Sequence, residues 1–270
     1  MRKKLRNIIF WVIVLIYFIV TLSFVNDQKS FIRCKDIDVK IVDGTENNFI
    51  DHRDIIKILR DNKLNVLGYL HDSINLETIE QKIIEHPSVK EANVFTTLDG
   101  ILHINIKQRK PLFRVLSGNM AYYVDHEGYL MPLSNKYTAK VLLVTGKINE
   151  PYSKWYGKNI IETGEQMGEG NQKSLLFDLF ELVSYLNSDP FWKSQIHQIF
   201  IDDSGDLILI PKIGEHKIIL GDINNYKDKM KRLYLFYKHG LRVEGWNKYS
   251  VINLKYENQI VCTIKNQQHG

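Results

Sequence analysis

An unbroken apolar run near the N-terminus constrains this chain more than any other feature. The run extends from Ile8 to Val25, contains no charged residue, and has Thr21 and Ser23 as its small polar groups. A helix of this length would be roughly 27 Å long, which is enough to cross the hydrocarbon core of a bilayer. The sequence therefore predicts a single transmembrane helix over residues 8–25.

The charges around this run predict its orientation. Four cations precede it: Arg2, Lys3, Lys4 and Arg6. Lys29 is the one basic residue among the first seven that follow it. We therefore expect residues 1–7 to form a cytoplasmic tail and the bulk of the chain to lie outside the cytoplasmic (inner) membrane. A cleavable signal peptide is the alternative, but Ser23-Phe24-Val25 lacks the small-residue pattern of a cleavage site.

The charge balance argues against nucleic-acid binding. The formal net charge is +5, with 36 basic and 31 acidic residues, and the N-terminal cluster supplies most of the excess. Nucleic-acid binding requires a strongly basic domain, which the rest of the chain does not provide.

Residues 34–108 show the periodicity of a small α+β domain. Apolar and polar residues alternate, as is typical of strands, at the start of the segment and in two further runs after residue 90. Asp99-Gly100 is the predicted turn between the last two strands. Two helical stripes lie between, N-capped by Asp51 and Asn75, and the second ends before Pro87. The predicted order is β-α-α-β-β.

The hydrophobic pattern of residues 109–265 predicts a mainly antiparallel β domain with two helices, followed by a tail at residues 266–270. The helices are expected over Ser174 to Leu186 and Asn225 to Lys238, and residues 149–173 are expected to be a loop. Eight short runs have strand character: Leu112 to Leu116, Ala121 to Val124, Val141 to Thr145, Ile196 to Ile201, Leu207 to Ile210, His216 to Leu220, Tyr249 to Tyr256 and Gln259 to Ile264.

No pattern of catalytic or metal-binding residues stands out. The sequence has neither a G-x-S-x-G elbow nor an H-E-x-x-H motif, and its nine histidines lack ligand-like spacing. Asp125-His126-Glu127-Gly128 is best explained as a polar hairpin turn. Cys34 and Cys262 are expected to be unpaired. We therefore expect no enzymatic activity, no catalytic residue, no metal and no cofactor.

The end of the chain is a candidate binding surface. Residues 223–265 contain nine basic and three acidic residues, and the last predicted strand is followed by a short polar tail. Such a strand can be an open sheet edge that accepts a partner strand, although a merely solvated edge would look the same. Ile260, Cys262 and Ile264 are expected to face the core, and proline at Val261 to disturb the ladder.

At the level of short motifs, the chain resembles the FtsQ/DivIB family of cell-division proteins. The similar segments occur in the family's order and cover most of the chain: Arg109-Lys110-Pro111, Tyr122-Tyr123-Val124-Asp125 with Gly128, Leu143-Val144-Thr145-Gly146, and Ile252-Asn253-Leu254-Lys255-Tyr256. Asn253 and Lys255 stand where the family often has Asp and Arg, which puts a charged contact in doubt.

The resemblance implies a POTRA-type first domain and a non-enzymatic role in the divisome. It implies a scaffold at the septum that links FtsB/DivIC-like and FtsL-like proteins and helps control septal peptidoglycan synthesis, with no small-molecule substrate. The partner-binding residues would be the last strand and its basic neighbours: Tyr256, Asn258, Gln259, Ile260, Val261, Cys262, Thr263, Ile264, Lys265, Lys255 and Arg242.

Two other functions compete with this interpretation. A POTRA-bearing chaperone or secretion component for unfolded envelope proteins would predict several tandem modules or a membrane barrel, and the sequence predicts one module. A membrane-anchored cell-wall enzyme would be revealed by cleavage of peptidoglycan.

Overall fold

The computed structural model describes residues 10–20, 32–42, 48–155, 157–163 and 174–265, in two compact units, Met1–Gln108 and Arg109–Gly270. Residues 10–20 form a helix, α1, and the rest of the apolar run lies outside the described residues. Within the described part of the chain, no helix has both the length and the apolar character needed to cross a membrane.

The first unit has the predicted β-α-α-β-β order. Its elements are β1 (Asp36–Ile41), α2 (His52–Asp61), a 3₁₀ turn (His71–Ser73), α3 (Leu76–Ile84), β2 (Val89–Thr96) and β3 (Ile101–Gln108). The strands form a sheet in the order β1-β3-β2, with β1 parallel and β2 antiparallel to β3.

Local capping explains where the helices of this unit begin. The Asp51 carboxylate accepts the amides of Arg53 and Asp54, and the Asp54 carboxylate accepts the Asp51 amide in return. This reciprocal capping box satisfies amides that have no partner inside the helix. The Asn75 side chain caps α3 without a reciprocal bond, by accepting the Thr78 amide at 2.9 Å.

The second unit is built on one nine-stranded sheet. Its strands are β4 (Pro111–Ser117), β5 (Met120–Asp125), β6 (Leu130–Pro132), β7 (Leu142–Gly146), β8 (Ile196–Ile201), β9 (Leu207–Pro211), β10 (Lys217–Gly221), β11 (Tyr249–Asn253) and β12 (Val261–Ile264). Their spatial order is β12-β11-β10-β9-β8-β7-β4-β5-β6. Five of the eight neighbouring pairs are antiparallel, whereas β4/β7, β7/β8 and β10/β11 are parallel.

Helical crossovers account for two of the parallel pairs, because a parallel strand cannot follow through a tight turn. The helical segments of this unit are α4 (Tyr152–Trp155), α5 (Ile160–Thr163), α6 (Leu175–Ser188), α7 (Pro190–Gln195), α8 (Tyr226–Leu235), a π-helical turn (Phe236–Leu241) and α9 (Arg242–Glu244). The apolar stripe of α6 and the buried Met230 and Leu233 of α8 belong to the same core cluster as the sheet.

Several predicted boundaries were wrong. The expected loop over residues 149–173 contains the single-turn helices α4 and α5, and residues 164–173 lie outside the described part. The expectation of two helices missed α7, whose signal was the N-cap Asp189, which accepts the Phe191 amide, followed by Pro190. The last predicted helix changes to π-helical geometry at Phe236.

The turn at Asp125 was predicted correctly. The Asp125 carboxylate accepts the amides of Glu127 and Tyr129 at 2.9 and 2.8 Å. Gly128 has a φ of 83°, which glycine adopts without strain. The cluster of titratable residues therefore closes the β5–β6 hairpin, and Asp125 also forms an ion pair of 2.9 Å with Arg109.

Candidate partner-binding edge

The last strand, β12, lies at one end of the nine-stranded sheet, and β11 is its one strand neighbour among the described residues. The two strands are antiparallel, with Asn253 opposite Val261 and Ile252 opposite Cys262. The sheet order agrees with the expectation of an edge strand. Backbone groups along the free side of such a strand can bind an incoming strand.

The hydrogen bonds on the β11 side show which backbone groups face outward. The Lys265 amide donates at 2.9 Å to the carbonyl of the residue preceding β11, and the Thr263 carbonyl accepts a serine hydroxyl of β11 at 3.3 Å. Backbone groups alternate in direction along a strand. The amides of Cys262 and Ile264 therefore point to the free side.

This alternation changes the expected effect of proline at Val261. The Val261 amide points in the same direction as those of Thr263 and Lys265, towards β11, so Val261→Pro would break the β11–β12 hairpin itself. Proline at Cys262 or Ile264 would remove an outward amide, which is the position in an edge strand that tolerates proline.

The side chains of β12 match the predicted faces except at Ile264. Ile260 and Cys262 pack partly against the core cluster, and Val261 is 43% exposed. Ile264 was expected to face the core, but it is 62% exposed. It lies opposite Tyr249, beyond a β-bulge in β11, whereas Cys262 lies opposite the fully buried Ile252. The strand has passed the end of the core at that point.

An arginine that sequence reasoning missed holds the β11–β12 turn. Arg232 of α8 donates from Nη1 to the carbonyls of Tyr256 and Gln259 at 2.9 and 2.8 Å. Its Nε lies 3.2 Å from a carboxylate oxygen of Asp228, one turn earlier on the helix. The sequence places Arg232 on the polar side of a helix and gives no sign of this contact.

The segment between β11 and β12 contains fewer strand residues than the sequence predicts. The Asn253 side chain accepts the Lys255 amide at 3.0 Å, which turns the chain, so β11 ends at Asn253 and not at Tyr256. The predicted binding residues Tyr256, Asn258 and Gln259 are exposed in this turn, and Asn258 has a left-handed φ of 57°.

The predicted basic neighbours are partly neutralised within the chain. Lys255 forms an ion pair of 2.6 Å with Asp206, which raises the pKa of Lys255. Lys265 pairs with Glu215, and that contact lowers the pKa of Glu215. Arg242 is exposed and has no ion pair among the described residues. The positive field at this edge is therefore weaker than the residue count indicates.

The described residues of both units bear on whether the chain has a metal site or a reactive thiol. Among them, no group of three or more His, Cys, Asp or Glu side chains is arranged to hold a metal ion. Cys34 and Cys262 are both free, and burial raises the pKa of each thiol, which disfavours the reactive thiolate.

Comparisons with known proteins agree with this architecture. A model described as "FtsQ/DivIB, C-terminal related" matches residues 110–263, and a "POTRA-like domain" model matches residues 32–107. The cell division protein DivIB of Clostridium tetani is 25% identical over 254 residues, which cover 94% of this chain and 86% of the relative. The cell division protein FtsQ of Salinibacter ruber is 26% identical over 193 residues, 69% of each chain.

The fold and these matches define a class: α+β proteins in which a POTRA-like domain precedes a mainly β domain with helices. The chain belongs to the FtsQ/DivIB family, because the family model covers more than half of its length. The names of its relatives support a role in cell division.

Proposed function

We propose that this protein is a non-enzymatic scaffold of the bacterial divisome that links FtsB/DivIC-type and FtsL-type proteins and helps control septal peptidoglycan synthesis. Residues 8–25 anchor it in the cytoplasmic membrane, residues 1–7 stay inside, and the POTRA-type domain (34–108) and β domain (109–265) act outside, at the septum. The FtsB/DivIC-type partner adds a strand to β12.

The observation that supports this proposal is the free side of β12. The amides of Cys262 and Ile264 face away from β11, and the adjacent turn is already fixed by Arg232. A strand that is held in place before binding loses less conformational entropy when a partner pairs with it. Val261, Ile264 and Tyr256 add exposed apolar surface at the same place.

Binding of the FtsB/DivIC-type protein of the same organism to the full chain tests the edge. The variant Cys262→Pro/Ile264→Pro loses two outward amides while the amides facing β11 stay in place. Each lost backbone hydrogen bond is worth about 0.5–1.5 kcal/mol, so the Kd should rise roughly 5-fold to 150-fold.

The matched control is Cys262→Ser/Ile264→Ala, which shortens or replaces the same side chains and keeps both amides. It should bind within a few-fold of the parent. Equal affinity of the proline variant and the parent, with unchanged thermal unfolding, would show that the partner binds elsewhere.

Membrane topology is tested separately. A reporter fused after Gly270 should be active only outside the cytoplasm, and mass spectrometry of the mature chain should find residues 1–25 still present. A mature chain that begins near residue 26 would contradict the anchor but would leave the edge proposal intact.

The chaperone alternative receives less support from the small domain. Its sheet edge β2 is partly capped, because the carboxylate of Glu80 accepts the outward amide of Val94 at 3.2 Å. A capped edge is a poor site for an unfolded client strand. If denatured envelope proteins bound the chain as tightly as the division partner does, the chaperone role would be favoured.

A further inference from the structure

A cavity of about 520 Å³ lies within the β domain, far along the sheet from β12. It is formed at the amino ends of the parallel neighbours β4, β7 and β8, which contribute Leu112, Leu142 and Ile196. Helices α6 and α7 form the opposite wall with Leu186 and Trp192. This volume lies within the usual range of small-ligand pockets, about 300–1,000 Å³.

The floor of the cavity is apolar. Leu112, Leu186, Trp192 and Ile196 are all at most 5% exposed, so the part of each that borders the cavity is held by the packed core. Trp192 is fixed further by edge-to-face contacts with Phe191 and other rings. A rigid apolar floor suits an alkyl or similarly apolar group.

The rim is cationic. Its charge comes from Lys140, Lys193 and Lys212, which line the cavity together with His126 and His197; burial lowers the pKa of His126, and the described lining includes no Asp or Glu. Among the described residues, none of the three lysines forms an ion pair; the Lys212 ammonium donates at 3.3 Å to the backbone carbonyl of Lys193. Some other lysines of this domain do pair with carboxylates, as Lys255 does with Asp206. The rim therefore offers positive charge that no described side chain neutralises.

The backbone around the cavity cannot accept another strand. β4, β7 and β8 are each paired on both sides, with β5 and β7, β4 and β8, and β7 and β9 respectively. A polypeptide would find no free ladder here, unlike at β12, and recognition would depend on side chains alone. The site therefore suits a compact ligand better than an extended peptide.

We propose that this cavity binds a small amphipathic anion, with an alkyl body on the apolar floor and a carboxylate or phosphate head among Lys140, Lys193 and Lys212. A free single-chain acid and the anionic head group region of a lipid share this chemistry. The site is separate from β12 and does not depend on the partner proposal.

Quenching of tryptophan fluorescence by 8-bromooctanoate tests the site in the full chain. The parent carries Trp11→Phe, which removes a tryptophan of the N-terminal helix from the signal. We expect saturable quenching that disappears in the additional variant Trp192→Phe. Octanoate and octyl phosphate should displace the probe, whereas octanol and inorganic phosphate should not, because each lacks half of the recognised chemistry.

The contribution of the lysine charges to the affinity for 8-bromooctanoate is measured with the triple variant Lys140→Gln/Lys193→Gln/Lys212→Gln. Its Kd should rise about tenfold, the expected sum of three partly solvated contacts. The matched control Lys217→Gln/Lys231→Gln/Lys238→Gln removes three exposed lysines of the same domain and should leave the Kd unchanged. If Trp192→Phe does not fold, Asn187→Phe, which narrows the cavity from α6, should instead abolish the saturable quenching by 8-bromooctanoate.

The outcomes separate the possibilities. Displacement by phosphatidylglycerol nanodiscs but not by neutral ones would identify a lipid as the source, and displacement by soluble octanoate but by neither kind of nanodisc would identify a free acid. Equal binding of octanol and octanoate, an unchanged Kd in the triple lysine variant, or tighter binding of an acidic leucine-containing tetrapeptide than of octanoate would each overturn the proposal.

Discussion

Replacement of Arg232 by alanine should loosen the β11–β12 turn without unfolding the β domain. The side chain donates two hydrogen bonds to carbonyls, at 2.9 and 2.8 Å, and is 19% exposed. Hydrogen bonds from charged groups are worth about 1.5–3 kcal/mol each. Tyr256 and Gln259 are exposed, so water can satisfy their carbonyls after the change. Both bonds come from the single Nη1 atom and both carbonyls stay open to water, so we expect a loss below the sum of two such bonds, about 2 kcal/mol in total.

Hydrogen exchange measures this loss at the place where it occurs. A fall of about 2 kcal/mol in the free energy of local opening corresponds to roughly 30-fold faster exchange. The increase should be confined to peptides that cover residues 254–265. Binding of the FtsB/DivIC-type partner should weaken as well, because the partner would have to order the turn.

Two variants provide the controls. In Arg232→Lys the single ammonium nitrogen can keep the ion pair with Asp228 but cannot also reach both carbonyls, which the guanidinium contacts through Nη1 while Nε pairs with Asp228, so its exchange should resemble that of Arg232→Ala. Lys231→Ala changes the exposed neighbour on α8 and should leave exchange unchanged. Exchange of residues 254–265 within threefold of the parent in Arg232→Ala would refute the role of this contact.

Three further predictions concern stability. Burial lowers the pKa of His216, whose Nε2 lies 2.7 Å from the Tyr237 hydroxyl, so the folded state favours the neutral ring. The neutral ring therefore contributes to the free energy of unfolding above pH 6.5, and this contribution is lost as the pH falls below that value. His216→Gln should flatten the decline in the free energy of unfolding between pH 7.5 and 5, measured by urea titration. Gly146 has a φ of 107° and an added Cβ would lie 2.0 Å from the Ile201 carbonyl oxygen. Gly146→Ala should therefore cost on the order of 3 kcal/mol in thermal unfolding, while Gly118→Ala, which meets open space, should cost roughly 1 kcal/mol. Residues 34–108 should unfold cooperatively as an isolated fragment but at low urea concentration, because so small a domain buries a limited surface; a non-cooperative transition would argue against this boundary.

Local patterns predicted the small domain well. Its strands alternate between apolar and polar residues, and its helices begin at side chains that cap them, so each element is specified by neighbours within a few positions. The pairing of β1 with β3 is parallel and spans the whole domain. Local sequence patterns do not indicate a contact between residues so far apart in the sequence. The order of the strands in the sheet could therefore be determined only from the structure.

The candidate edge shows the same limit more sharply. Position in the chain was enough to suggest an exposed last strand, and alternation was enough to place Cys262 towards the core. Ile264 is exposed because the bulge between Tyr249 and Val251 shifts the register of β11 against β12 at this point. Arg232 reaches the turn from a helix 24 residues earlier than Tyr256. These features depend on tertiary register, which a single sequence does not encode in any local motif.

The two ends of the large sheet differ in a way that bears on assembly. At the far end, β6 has three residues and ends at Pro132, and the adjoining turn is covered by Asn159, which donates to the Glu127 carbonyl at 2.9 Å, and by Ile160, whose amide donates to Gly128. A short, covered edge with proline resists strand addition. Of the two end strands that the structure describes, β12 is therefore the better site for strand addition. If both ends were open, copies of the chain could pair end to end into filaments, as heterologous contacts do when they fail to close. Under the proposed function, a single open end among the described strands limits strand addition to one partner.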